Sequence, residues 1–190
     1  MEIRIYFEGA KPLRGGFKSF FRELSDAAKE ANCEIAFIAS KNGPTDFQKA
    51  MRTHPNAWNI LLKDTEGPLT AEAASLCQKL GIPTQLVGNV YWMVELMESW
   101  FLADSEALAQ YYGREFLANA VGNTANVENI PKAEVLDRLK RATRNTGKGE
   151  YHKTAYAPFL LERIDADRVR ARAQNCRKVF DQVKEKLANL

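Results

Sequence analysis

The sequence predicts an α/β protein: a mostly parallel sheet flanked by helices, followed by a helical C-terminal part. Two observations predict it. Short apolar runs of strand length alternate with amphipathic stretches up to Tyr91, and from Trp92 onward the apolar spacing is helical. Alternation of this kind is what parallel strands joined by crossover helices require.

The first strand is read at residues 3–7, where Ile3, Ile5 and Phe7 alternate with polar or half-polar neighbours. Phe17, Phe20, Phe21 and Leu24 then recur at i, i+3, i+4 and i+7, one buried helix stripe. Residues 34–39 and 58–63 are the next strands, and 85–91 is a fourth. Helices at 45–53 and 70–80 fill the gaps between them. Beyond them, 93–103, 105–119, 132–144, 153–163 and 166–188 carry helical spacing. Asp104 is placed to cap the 105–119 helix, and Pro131 to begin the next. The chain divides into an α/β core at 1–130 and a basic helical extension at 131–190 packed on the same domain.

Composition excludes several classes. The 190 residues are 45% hydrophobic and 27% charged, ordinary for a folded chain and unlike a disordered one. Cys33, Cys77 and Cys176 are scattered, which argues against a disulfide framework. The two histidines, His54 and His152, have no zinc-ligand spacing. No apolar run is long enough to span a bilayer, and the N-terminus reads as a strand and not a signal peptide. A cytoplasmic protein is expected. The net charge of +3 hides a split: residues 1–131 hold 12 Lys+Arg and 16 Asp+Glu, residues 132–190 hold 15 and 8. An acidic site in one part and a polyanion-facing surface in the other would produce it, as would a solvated helix face.

In an open parallel sheet, ligands bind beyond the carboxyl ends of the strands. The first strand ends in Phe7-Glu8-Gly9 and the third in Leu62-Lys63-Asp64-Thr65-Glu66-Gly67-Pro68. Asp64 and Glu66, two apart, would share a face if the segment stays extended. Glu8 would complete a triad within a few Å. Carboxylates held close repel unless a cation neutralises them, and oxygen ligands favour Mg²⁺ or Mn²⁺. Such a site serves phosphoryl chemistry, with Glu8 as general acid or base and Asp64 and Glu66 on the metal. The competing reading is three surface acids in turns.

The strand ending in Glu8-Gly9 and the later Asp64-Thr65-Glu66 resemble the TOPRIM fold of topoisomerases, primases and overcoming-lysogenization-defect nucleases. The closer resemblance is to the TOPRIM-like, Rossmannoid domain-of-unknown-function 4276 family of bacteria. It is carried by the blocks Leu13-Arg14-Gly15-Gly16-Phe17, Met93-Val94-Glu95-Leu96-Met97-Glu98-Ser99-Trp100 and Gly149-Glu150-Tyr151-His152-Lys153. Tyr112-Gly113-Arg114-Glu115-Phe116 and Val127-Glu128-Asn129-Ile130-Pro131-Lys132 add to it. The Met-Glu-Ser-Trp and Tyr-x-Lys blocks are the specific ones. The resemblance implies a Mg²⁺- or Mn²⁺-dependent nuclease working beside a separately encoded ATPase, and a place in anti-phage defence. Two departures stand out: TOPRIM enzymes usually carry Asp-x-Asp, and Tyr91 stands where the family often has His.

Further residues join the site as expectations. Glu95 and Glu98, i and i+3 on the 93–103 helix, would face one way. Glu98 is then a fourth metal ligand, or else a buried acid paired with Arg14 or Arg22. Lys153, after a glycine-containing loop, is a phosphate contact or an exposed lysine. Arg14, beside Gly15-Gly16, is a second phosphate contact or else neutralises Glu8 or Glu98. Arg168, Arg170 and Arg172 would meet a polyanion or solvent. The trio Trp58, Trp92 and Trp100 reads as core. Nucleic acid, DNA or RNA, is the expected partner, with an ATPase and a homo-oligomer as further ones. The alternative function is a non-catalytic docking or sensing partner of the ATPase.

Overall fold

Among the described residues, four parallel strands form the sheet, in the order β2-β1-β3-β4. The computed structural model describes residues 1–69 and 72–190. The elements are β1 (Glu2–Glu8), α1 (Leu13–Phe20), α2 (Arg22–Glu30), β2 (Glu34–Ser40), α3 (Gly43–Thr53) and β3 (Ala57–Asp64). They continue with α4 (Ala73–Lys79), a 3₁₀ helix (Thr84–Asn89), β4 (Val90–Met93) and a second 3₁₀ helix (Met97–Ala103). The remainder is helical: α5 (Ser105–Tyr112), α6 (Ala118–Val121), a 3₁₀ turn (Val127–Asn129), α7 (Lys132–Thr143), α8 (Lys153–Leu161), α9 (Ala166–Arg172) and α10 (Gln174–Ala188).

Strand alternation sorts the core onto two faces. Ile3, Ile5 and Phe7 of β1 and Ile60 and Leu62 of β3 lie in the larger cluster, with α1, α2, α8 and α10. Tyr6 and Leu61 lie in a smaller one with Phe47 and Ala50 of α3 and Cys77 of α4. The larger cluster runs from Ile3 to Leu187, so the C-terminal helices share the core of the sheet. The chain leaves β1 for β2 on one side and returns to β3 on the other. This reversal opens a crevice at the carboxyl ends of β1 and β3.

Several expectations are corrected. The stripe Phe17, Phe20, Phe21, Leu24 is buried, but it spans two helices that break at Phe21. Residues 85–91 are mostly 3₁₀ helix, and β4 begins only at Val90. The expected helix at 93–103 is the end of β4, a turn, and a 3₁₀ helix. In that turn Glu95 adopts φ 61°, so Glu95 and Glu98 do not lie on one helix face. Gly113 at φ 71° ends α5, dividing 105–119, and extended Ala173 divides 166–188. The 70–80 helix is seen at Ala73–Lys79; residues 70 and 71 lie outside the described residues. Asp104 caps α5 as expected, accepting from the Ala107 amide. Trp100 and Trp92 are buried, and Trp58 packs against the core.

Gly16 has a packing role. A Cβ there would come within 2.8 Å of the Pro158 carbonyl oxygen, so the glycine lets α1 and α8 meet closely. The Gly15-Gly16 pair thus lies inside a helix and forms no phosphate loop.

Candidate active site at the carboxyl end of the sheet

Asp64 ends β3 in the phase of Ile60 and Leu62, so its carboxyl enters the larger face at the sheet edge. Its Oδ1 accepts from the Met97 amide at 2.9 Å, which ties the strand end to the 3₁₀ helix. That helix carries Glu98, whose side chain is fully buried. Tyr151 Oη donates to Glu98 Oε1 at 3.2 Å. Lys153 Nζ reaches Glu98 Oε2 at 3.2 Å and Asp64 Oδ2 at 3.9 Å. Two carboxylates therefore share one ammonium.

Electrostatics follow from burial. Desolvation pushes the Asp64 carboxyl up to about 7; Lys153 pulls it back, and Glu98 adds repulsion. Burial is also the main reason that the Tyr151 phenol is raised well above its usual range, with the Glu98 charge adding to it. It stays a donor at any working pH.

Glu66 reaches the same cavity by another route than the extended one expected. It sits at φ 60°, a left-handed conformation costly for a residue with a Cβ, and its amide donates to the Glu95 carbonyl. Its carboxylate pairs with Lys132 at the start of α7, whose hydrogen bond holds it below the ordinary carboxylate range. Glu95 Oε2 accepts from the Lys132 backbone amide at 2.9 Å, fixing α7 against the turn. Two left-handed glutamates thus brace the mouth.

Together Asp64, Glu66, Glu98, Lys132, Lys140, Tyr151, His152 and Lys153 line an open cavity of about 310 Å³. Of the expected site residues, the structure brings Asp64, Glu66, Glu98 and Lys153 together. It does not bring Glu8. Glu8 shares the phase of Tyr6, and its Cβ lies near Gly43 of α3 on the smaller face, where its carboxylate pairs with Lys63. Arg14 is exposed on α1 and does not line this cavity. Neither Arg14 nor Arg22 is the partner of Glu98; Tyr151 and Lys153 are. Among the described residues, no three His, Cys, Asp or Glu side chains stand close enough to share one metal ion.

Each arginine of the run finds partners within the protein, although Arg168 stays exposed. Arg168 binds Asp104 and Glu106, Arg170 lies over the Phe180 ring, and Arg172 donates to the carbonyls of Thr124, Leu102 and Ala103. Arg168 and Arg172 tie α9 to the 3₁₀ helix and α5, while Arg170 ties it to α10 and, through Glu23, to α2. In the sequence, Lys132 and Tyr151 stand only inside longer blocks. No local pattern marks them, because they meet the acids only when α7 and α8 close on the sheet.

The model of the family described as "Domain of unknown function (DUF4276)" matches residues 13–184. No curated protein matches the chain. The C-terminal region of the Xanthomonas campestris pv. campestris OLD protein superposes with a TM-score of 0.51 at 13% identity, over 98% of this chain and 94% of that one. The C-terminal region of the Burkholderia pseudomallei OLD protein gives 0.49 at 15% identity, over 95% and 98%. At such identity the first match shows a shared fold: a TOPRIM-like parallel sheet flanked by helices.

Proposed function

Because the chain belongs to the family described as Domain of unknown function (DUF4276), whose description assigns no activity, we propose a function from the site itself: metal-dependent hydrolysis of phosphodiester bonds in nucleic acid. The convergence of Asp64 and Glu98 on the single ammonium of Lys153, at the carboxyl end of a TOPRIM-like sheet, carries this reading. Two acidic side chains share one positive charge in a poorly solvated place. A hard cation relieves that imbalance, and the oxygen donors of Asp64 and Glu98, with Glu66 on the same cavity, suit Mg²⁺ or Mn²⁺. A magnesium site commonly uses one or two protein carboxylates and completes its shell with water and substrate phosphate, so a closed protein triad is not required.

Asp64 and Glu98 would hold the ion, which when bound would neutralise charge on the phosphoryl oxygens and acidify the attacking water. Tyr151 fixes the Glu98 carboxylate through its hydroxyl. Lys153, half-exposed at the mouth, offers its ammonium to a phosphate, and Lys132 and Lys140 add charge beside it. Glu8, engaged by Lys63 on the other face, is left out of the proton transfer. Work alongside an ATPase, and a part in anti-phage defence, belong to the proposal through the family resemblance alone.

One observation favours the second reading, a non-catalytic docking or sensing module. Lys153 and Lys132 already partner the cavity acids, and acids held by lysines can stand without a metal. Cleavage assays decide. Wild-type protein with Mg²⁺ or Mn²⁺, alone and with a neighbouring ATPase, should cut DNA or RNA. Asp64→Asn and Glu98→Gln should each abolish cutting while keeping the fold. Failure of the wild type on every substrate would favour the docking reading.

A further inference from the structure

One flank of α8 carries an aromatic surface that the cavity does not use. Phe159 is 48% exposed, and its ring lies nearly parallel to that of Tyr111, with centroids 6.4 Å apart at 16°. Two cations attend the Tyr111 ring: Lys148 Nζ at 4.9 Å and Arg163 Cζ at 5.2 Å from its centroid. Tyr156 meets Tyr111 edge-on, and its hydroxyl donates to the Lys148 carbonyl, which holds the lysine's loop in place. A solitary exposed Phe needs no explanation. An exposed Phe159 ring beside a tyrosine that carries two cations over its own ring is a different object.

Its chemistry selects a partner. Unpaired bases offer π-faces to stack on a ring, and their backbone offers phosphates to nearby cations. A duplex offers the phosphates but keeps its base faces stacked. Phe159 lies six residues beyond Lys153 on one helix, a rise of about 9 Å. We infer that the Tyr111–Phe159 surface stacks unpaired bases of a single-stranded nucleic acid, with Lys148 and Arg163 on its phosphates and the strand leading to the cavity. The choice of partner rests on the phosphodiester reading of that cavity.

The test is fluorescence anisotropy with a labelled oligo-dT strand and a duplex of equal length, in chelator so that nothing is cut. Wild-type protein should prefer the single strand. Phe159→Ala should weaken single-strand binding roughly 5- to 100-fold and leave duplex binding unchanged. Phe159→Trp should retain binding, and Lys148→Ala should lower the salt slope by about one phosphate contact. Equal affinity for strand and duplex would overturn the inference, as would wild-type binding by Phe159→Ala. A change of oligomeric state in Phe159→Ala with nucleic-acid binding intact would also overturn it, by assigning the face to a second copy of the chain. Loss of binding in Phe159→Ala, with no cleavage by the wild type, would remove the hydrolase reading and keep this surface. Cleavage of single strands that needs Asp64 and ignores Phe159 would do the reverse.

Discussion

Lys153 and Glu98 form an ion pair in which the carboxylate is fully buried and the lysine is half exposed, 3.2 Å apart. The acid gave up its hydration, and the lysine together with Tyr151 replaces it. Asp64 Oδ2 stands 3.9 Å from the same ammonium.

Removing the lysine should therefore cost stability. Lys153→Met leaves a buried carboxylate short of its cation, a loss of about 1–3 kcal/mol after allowing for the exposure of the lysine. Melting curves should show the loss in chelator and its recovery in Mg²⁺, since a ligand bound only by the folded state stabilises it. The double variant with Glu98→Gln should be less destabilised than the two single losses add to.

Tyr151→Phe deletes one hydroxyl from a buried site and leaves Glu98 Oε1 without that donor. Urea unfolding should show a loss of about 1.5–3 kcal/mol with an unchanged slope. An unaltered midpoint would mean that water replaces the hydroxyl.

Asp64 should make the metal-free protein less stable as pH rises. Its folded-state pKa of about 7 lies above the ordinary 3.8, so the folded state holds a proton that the unfolded state releases. Stability from this group falls between those two values and is level above them. Asp64→Asn keeps an acceptor for the Met97 amide and removes the charge. Its advantage over wild type should be near zero around pH 4 and greatest at pH 8, read by urea unfolding in chelator. A pH-independent difference would refute the assignment.

Glu66 holds a left-handed backbone that glycine adopts freely. Glu66→Ala and Glu66→Gly both lose the exposed pair with Lys132, so their difference isolates the backbone. Glu66→Gly should be the more stable by about 0.5–1 kcal/mol in thermal unfolding. The reverse order would show that φ is not strained there.

Much of this architecture is legible in the sequence. β1, β2 and β3 announce themselves as apolar runs, and Asp64 and Glu66 follow directly from where β3 ends. The opposite facing of Glu8 was legible too: it shares the phase of Tyr6, whereas Asp64 shares that of Ile60 and Leu62. Gln85-Leu86-Val87 looks like a strand but lies in a 3₁₀ helix, because short apolar runs do not distinguish the two. The Glu95 turn leaves no mark in the sequence, because a non-glycine residue gives no warning of positive φ. Lys132 and Tyr151 reach the acids only through tertiary closure, which no periodicity encodes.

The central claim is that Asp64 and Glu98 form a divalent-cation site. Isothermal titration of Mn²⁺ into metal-free protein tests it most directly. Wild type should bind saturably, Asp64→Asn and Glu98→Gln should each lose at least tenfold in affinity, about 1.4 kcal/mol, and Glu8→Gln should bind as wild type does. Absence of wild-type binding, or equal binding by the Asp64 and Glu98 variants, would contradict the account.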